Sequence, residues 1–340
     1  MLVALLLLQG ASQVVAGGSR SRWTYAGPYG KEHWEADFPD CGGTAQSPID
    51  IQTGATWHDP SLLPVLPLGY GSLWDDTFTL HNNGHTVKMS LPPTMTLQGL
   101  PWVCTAVQLH LHWGRQGQAG GSEHRLDGEA APAELHVVHY NSETYANLSQ
   151  AQHQADGLAV LGILIEAGDT PNPAYDNILR HLDSVQHAGQ SVSIPAFDVG
   201  ELLPQRLGHF YRYNGSLTTP PCLQSVLWTI FHQRVRISSA QLQQLQQTLF
   251  STEPGSPHPQ PLLDNFREPQ ALNDRLVLAS FPVGPTGYST GEIIAIVFGV
   301  LVGCLGVGLA AHFVAKRIRT KRRREQDVVF KSSSKRVTVG

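Results

Sequence analysis

The residues whose types and spacing could do chemistry are Gln108-Leu109-His110-Leu111-His112-Trp113, followed by Glu134-Leu135-His136. On a strand, successive side chains alternate faces, so His110 and His112 project to one side while Leu109 and Leu111 project to the other. A third imidazole, His136, sits in a second strand-like run over residues 133–140. If the two strands pair as antiparallel neighbours, three neutral imidazoles converge. Three histidines without a thiolate form the ligand set of a catalytic zinc site with an open fourth position; a structural site would be closed by four protein ligands.

A His-x-His pair is unremarkable by chance in a chain with 16 His, and a lone buried His is more often a core residue than a ligand. Two polar neighbours shift the balance. Gln108 lies two residues before His110, and Glu134 two residues before His136, each on the face of its histidine. Metal-bound imidazoles donate their second ring N–H to such groups, which fixes tautomer and orientation. Buried Gln and Glu are costly unless they are hydrogen-bonded. His-Glu-x-x-His, the helical peptidase motif, is absent, and these His lie in strand patterns.

The elements that must position these residues read mainly as strands. Short apolar runs at 77–80, 86–91, 106–113, 133–140, 158–166, 225–231 and 276–281 are punctuated by Gly, Pro and Asn, as in Asn82-Asn83-Gly84. Helical spacing is confined to residues 173–185 (Ile178, Leu182, Val185) and 239–250 (Leu242, Leu245, Leu249), the latter with Ser238 or Ser239 as N-cap. The pattern predicts a β-dominated α+β fold: a single domain on a large central sheet with few peripheral helices.

The ends of the chain are specialised. The apolar run from Leu2, with small residues around Ala16, reads as a secretory signal over residues 1–16. Residues 17–281 form the outer domain and 282–292 a Pro/Gly/Ser-rich linker. Residues 293–315 are long and apolar enough to span a bilayer. The basic run from Lys316 to Arg324 opens a tail over 316–340, which places that side in the cytoplasm and the bulk of the chain outside. The tail carries a net charge of +8 and the remainder −12. Nucleic acid is therefore not an expected partner of the outer part, and anionic lipid is the simpler partner for the tail. Ser332-Ser333-Ser334 offers a weak phosphorylation signal. Gly299 and Gly303 give a small-xxx-small spacing that admits a homodimer through the membrane.

Cys304 falls within the span. Cys41, Cys104 and Cys222 lie outside it, where disulfides persist, so one pair and one spare thiol are expected; spacing does not choose the pair. Asn147-Leu148-Ser149 and Asn214-Gly215-Ser216 are N-glycosylation acceptors.

The segment Tyr213-Asn214-Gly215-Ser216-Leu217-Thr218-Thr219-Pro220-Pro221-Cys222 carries a further signal. Taken with Ser122-Glu123-His124, Asn82-Asn83-Gly84-His85, Ser47-Pro48-Ile49-Asp50 and the histidine strand, it closely resembles the α-class carbonic anhydrases, over about residues 23–281. The signal, the Cys41/Cys222 positions and the C-terminal span resemble the membrane-bound, single-pass members. The resemblance implies the α-carbonic anhydrase fold, with a mostly antiparallel twisted sheet. It implies reversible hydration of carbon dioxide to bicarbonate at the outer cell surface, by attack of zinc hydroxide. His110, His112 and His136 match the Zn2+ ligands, and Gln108, Glu134 and the backbone carbonyl of Asn265 match the groups that hold them. Thr218 matches the residue that accepts a hydrogen bond from zinc hydroxide and passes its own proton to Glu123; Thr219 matches the polar side of the site. His85 matches the proton shuttle, a role suited to imidazole. Tyr25, Asn82 and Asn83 match the polar shell that orders water toward His85. Val138, Val160, Leu217, Val226 and Trp228 match the apolar wall that holds the substrate. Cys41 and Cys222 match a disulfide, which leaves Cys104 unpaired.

The family also implies sulfonamide and anion inhibitors, and it admits a bicarbonate transporter as partner. Lys88, where an uncharged polar residue is usual, and Cys104 depart from its pattern without touching the metal ligands. The competing reading is a catalytically silent ectodomain of the same fold, serving binding or adhesion. Such relatives lack one or more zinc histidines, whereas all three stand here with Thr218 and Glu123.

Overall fold

The computed structural model describes residues 22–71, 77–283 and 290–334. It divides into two compact units, one ending at Val283 and the other beginning at Gly284. Residues 1–16, read as a signal, and most of the linker lie outside the described residues.

A 13-stranded mixed sheet organises the first unit. Its main path runs Ser191–Pro195, Thr77–Asn82, Val87–Ser90, Cys104–Trp113, Ala133–Asn141, Leu158–Gly168, Val226–Phe231, Phe210–Gly215, Leu278–Ala279 and Trp57–His58. Most neighbours are antiparallel. Leu158–Gly168 runs parallel to both Val226–Phe231 and Val235–Ser238, and Leu278–Ala279 runs parallel to Trp57–His58.

The alternation read from the sequence sorts the two faces. Leu109, Leu111 and Trp113 join Leu135, Val137, Leu161 and Ile163 in one buried cluster. From the same three strands, Val138, Val160 and Leu164 point the other way, into a second cluster with Val226 and Trp228. Gln108, His110, His112, Glu134 and His136 share this second face by the same two-residue period. One apolar face thus anchors the strands, and the opposite face is free to carry polar groups.

Two helices close the first cluster. Ser239–Thr248 begins at Ser238, whose side chain accepts from the Gln241 N–H while the Gln241 side chain accepts from the Ser238 N–H, a complete capping box. Leu242, Leu245 and Leu249 pack into the core, as their spacing predicts. The helix expected over 173–185 is shorter: it spans Pro173–Leu179, and a 3-10 turn follows at Leu182–Val185.

Several strands escaped the sequence pattern. Phe210–Gly215 reads as a polar motif because Arg212 and Asn214 interrupt its aromatics, yet it is central, paired on both sides. Ser191–Pro195 has weak alternation and ends in proline, which suits its edge position. The strand expected over 276–281 retains only Leu278–Ala279, which pairs with Tyr211 and Arg212 on one side and with Trp57–His58 on the other.

The second unit contains a helix at Thr290–Ser334, 45 residues long. At 1.5 Å per residue it extends about 68 Å, against a hydrocarbon core of about 30 Å. Its stretch Ile293–Arg324 contains an 18-residue window of mean hydropathy 2.7 and is long and apolar enough to cross a membrane. The helix does not stop at the predicted boundary near 315 but continues through the basic cluster.

Gly162 lies directly opposite His136 across the ladder. A Cβ there would come within 2.5 Å of Ile230 Cδ1 and 3.0 Å of Glu134 Oε1. Both neighbours are fully buried, so neither has room to move. Gly162→Ala is expected to cost about 1–3 kcal/mol through overpacking; urea unfolding of the two proteins measures it, and equal midpoints would refute the account.

Candidate active site and metal centre

The antiparallel register between Cys104–Trp113 and Ala133–Asn141 sets His136 opposite His110, with Glu134 opposite His112. The three imidazoles stand with ring centroids 4.5–5.2 Å apart, and one nitrogen of each lies within 4.8 Å of the others.

Each ring is held by its far nitrogen. His110 Nδ1 is 2.9 Å from Gln108 Oε1, His112 Nδ1 is 2.7 Å from the Asn265 carbonyl, and His136 Nε2 is 2.7 Å from Glu134 Oε1. All three partners are acceptors, so these nitrogens carry the protons. The facing nitrogens, Nε2 of His110 and His112 and Nδ1 of His136, therefore present lone pairs to one point. His112 Nε2 and His136 Nδ1 are 3.1 Å apart, close to the roughly 3.3 Å between two ligands at 2.0–2.1 Å from a tetrahedral centre. Burial pushes all three imidazole pKa values down, that of His112 to about 4. Neutral rings with converging lone pairs fit zinc.

A second cluster, His124, Glu134 and His136, is also close-packed, but its short distances are hydrogen bonds. Glu134 accepts from the backbone N–H groups of Glu123 and His124, from His124 Nδ1 and from His136 Nε2, at 2.7–2.8 Å. Burial alone would raise its carboxyl, but the facing His124 and His136 rings outweigh it and hold the pKa well below the ordinary range. His124 Nε2 is occupied by the Tyr213 hydroxyl, 2.7 Å away. His124 and Tyr213 thus lie behind Glu134; His124 stood in a quoted motif, but nothing in its spacing gave it this part.

Glu123 is fully buried. Its Oε1 accepts from the Arg267 backbone N–H at 2.8 Å and lies 3.4 Å from His112 Nδ1. Its Oε2 has no hydrogen-bond partner. Burial raises the carboxyl to about 7, against the opposing field of His136 and the nearby Thr218 hydroxyl. Thr218 is close enough to act on this carboxylate, yet no aligned hydrogen bond completes Oε2. Thr219 is half-buried beside it.

The disulfide Cys41–Cys222 ties the loop after Thr218 and Thr219 to the N-terminal segment. Arg267, unnoticed in the sequence, reinforces the junction: its guanidinium donates to Gln46 Oε1 and to the carbonyls of Ser47 and Cys41. Cys104 is a buried free thiol, pushed up to about 12 by burial.

His85 lies in the wall of a cavity of about 1090 Å3 with Tyr25 and Asn83, and its ring stacks on Trp23 at 3.8 Å. The zinc-ligand candidates do not line this cavity. Burial, helped by the Arg22 charge, lowers the His85 pKa from 6.5. Asn265 Nδ2 donates to the His85 carbonyl at 3.0 Å, so one residue braces both His112 and the His85 turn. Asn82 does not line this cavity. It is fully buried, its amide donates to the carbonyls of Val185, Gln186 and Phe250, and its Oδ1 accepts from Gly84. No donor remains for an ordered water, so its part in the water shell gives way to bracing the turn. Asn83 Oδ1 caps the same turn through the N–H groups of His85 and Thr86.

Val138, Val160, Val226 and Trp228 belong to one buried cluster, with Leu217 packed against it. Trp228 reaches to 4.8 Å from the His136 ring, which sets the apolar wall beside the triad. Asn147 and Asn214 are exposed; Asn147 Oδ1 caps the short helix Leu148–Ala151.

The family model of eukaryotic-type carbonic anhydrases matches residues 29–281. Carbonic anhydrase 12 of Homo sapiens is 41% identical, over 99% of this chain and 96% of its own length. Carbonic anhydrase 6 of Canis lupus familiaris is 39% identical over 83% of this chain and 85% of its own, and carbonic anhydrase 15 of Mus musculus 38% identical over 91% and 96%. A match across nearly the whole sheet unit and a buried three-imidazole centre lead to one conclusion: the chain belongs to the eukaryotic-type, zinc-dependent carbonic anhydrase family.

Proposed function

We propose that this carbonic anhydrase interconverts carbon dioxide and bicarbonate at the outer cell surface, as a single-pass protein with its catalytic domain outside. We read it as a membrane-bound isoform resembling carbonic anhydrase XIV. The observation that carries the reading is the convergence of three neutral imidazole nitrogens whose far nitrogens are all fixed by acceptors. His110, His112 and His136 hold zinc, and Gln108, the Asn265 carbonyl and Glu134 orient them. Bound zinc supplies a Lewis acid that makes water reactive toward carbon dioxide near neutral pH.

The chain's own groups do the rest. Glu123 accepts the Thr218 hydroxyl proton, which leaves Thr218 Oγ1 as an acceptor facing the site. A reacting oxygen that donates to Thr218 is thereby oriented, with its lone pair toward the substrate carbon. Val138, Val160, Leu217, Val226 and Trp228 exclude water and hold the apolar gas, while Thr219 lines the polar side. His85 carries the released proton outward, past Tyr25 and Asn83.

The outer location rests on the signal-like residues 1–16, the apolar helix and the basic cluster after it. The exposure of Asn147 and Asn214 suits glycans. Sulfonamides and small anions are expected inhibitors. A homodimer through Gly299 and Gly303 and a bicarbonate transporter as neighbour are compatible with this topology.

His112→Ala is expected to abolish stoichiometric zinc and hydration activity together, while Gln108→Ala weakens zinc affinity by about 10–100-fold. Metal analysis and competition with a chelator read both; full zinc retention in His112→Ala would sink the assignment.

His85→Ala is expected to slow turnover by roughly 10²-fold in weak buffer and to recover with added imidazole. Hydration requires His85 neutral, so activity falls as pH drops through its pKa. Burial lowers that value, which places the acid limb of the buffer-limited profile below 6.5. Stopped-flow rates against pH and buffer test this; a rate indifferent to buffer would remove His85 from the proton path.

A further inference from the structure

The catalytic unit carries an apolar row at one edge of its sheet. Trp57 is 66% exposed and Leu276 61% exposed. Val277 and Ala279 are buried, so Leu276 and Leu278 face outward by alternation. Trp57 is the parallel register partner of Leu278 and shares that outward face. Leu63 and Leu66, 64% and 50% exposed, border the same end: Val65 N–H donates to Leu207 O, and Ser280 Oγ donates to the adjacent Gly208 O. Scattered exposed leucines need no account, but a run of them gathered around one tryptophan does.

The chain leaves this unit a few residues further on. Val283 is its last residue, and only residues 284–289 separate it from the apolar helix at Thr290. Such a segment reaches at most about 25 Å, whereas a unit of this length has a radius of gyration of about 18 Å. The tether therefore bounds the distance between the exit at Val283 and the first residue of the helix. Tryptophan with aliphatic neighbours is the composition that settles at the headgroup boundary. The neighbouring Arg275 spends its guanidinium on the carbonyls of Leu272, Asn214 and Ala271, and the chain before residue 316 is acidic overall, so the contact is apolar and not an attraction to anionic lipid.

We propose that Trp57, Leu276 and Leu278, flanked by Leu63 and Leu66, form a lipid-interface contact that seats the catalytic unit on the zwitterionic headgroup region. The inference rests on the membrane-spanning reading above. The row limits tumbling about the short tether, and salt leaves it unchanged.

The test uses the full chain in phosphatidylcholine nanodiscs, with and without acyl chains brominated near the headgroup. Emission of wild type minus that of Trp57→Phe isolates Trp57. Trp57→Phe should keep its hydration activity, as a check on folding. The expected result is loss of the Trp57 emission in brominated discs, unaffected by added salt. Unquenched Trp57 in an inserted chain would overturn the contact while leaving the span intact. Shielding of Trp57 that tracks the number of chains per disc and ignores bromine would assign the row to a second copy and likewise overturn it. A chain that does not enter the discs at all would overturn the span reading, and this inference with it.

Discussion

Three uncharged imidazoles can turn their lone pairs to one point inside a protein only if each far nitrogen has a hydrogen-bond acceptor. Everything around this site serves that requirement. Gln108, the Asn265 carbonyl and Glu134 are the acceptors, and Glu134 and Asn265 are held in turn. Glu134 is saturated by two backbone N–H groups and two histidines. Asn265 spends its side chain on the Trp113 N–H and the Leu111 and His85 carbonyls. A misplaced acceptor would leave a buried polar atom unpaired and misaim a ring, so the surroundings are as constrained as the triad.

The sheet satisfies this by dividing labour between its faces. Leu109, Leu111 and Trp113 lock the histidine strand into the large core, and the polar residues between them are fixed as a consequence. The same geometry explains why the apolar wall stands beside the imidazole triad: Val138 and Val160 lie on neighbouring strands, on the triad's face. Glu123 departs from the pattern of complete pairing. Its Oε2 is buried without a partner, a costly condition at an oxygen that could accept a hydrogen bond from a hydroxyl beside it.

The convergence of the three histidines was legible because strand alternation is a local rule, and a polar residue two positions ahead of His110 and of His136 is a local sign of the group that orients the ring. Thr218 and His85 carried no such local sign; only the family motifs marked them. The Asn265 carbonyl has no side-chain signature at all. His124, Tyr213 and Arg267 contribute through partners far along the chain, Arg267 reaching residues more than 200 positions away. Asn82 shows the reverse error: its motif suggested water ordering, but burial turned its amide onto three backbone carbonyls.

By itself, the sequence determined the strand period, the faces of His110, His112 and His136, the helix spacing of Leu242, Leu245 and Leu249, and an apolar segment long enough to span a bilayer. All of these follow from neighbours within a few residues. The tertiary structure alone decided that His136 stands opposite His110, that Cys41 rather than Cys104 meets Cys222, and that Phe210–Gly215 is a central strand. Those depend on register and long-range packing, where the free energy of a pairing belongs to two distant segments jointly and leaves no mark on either one.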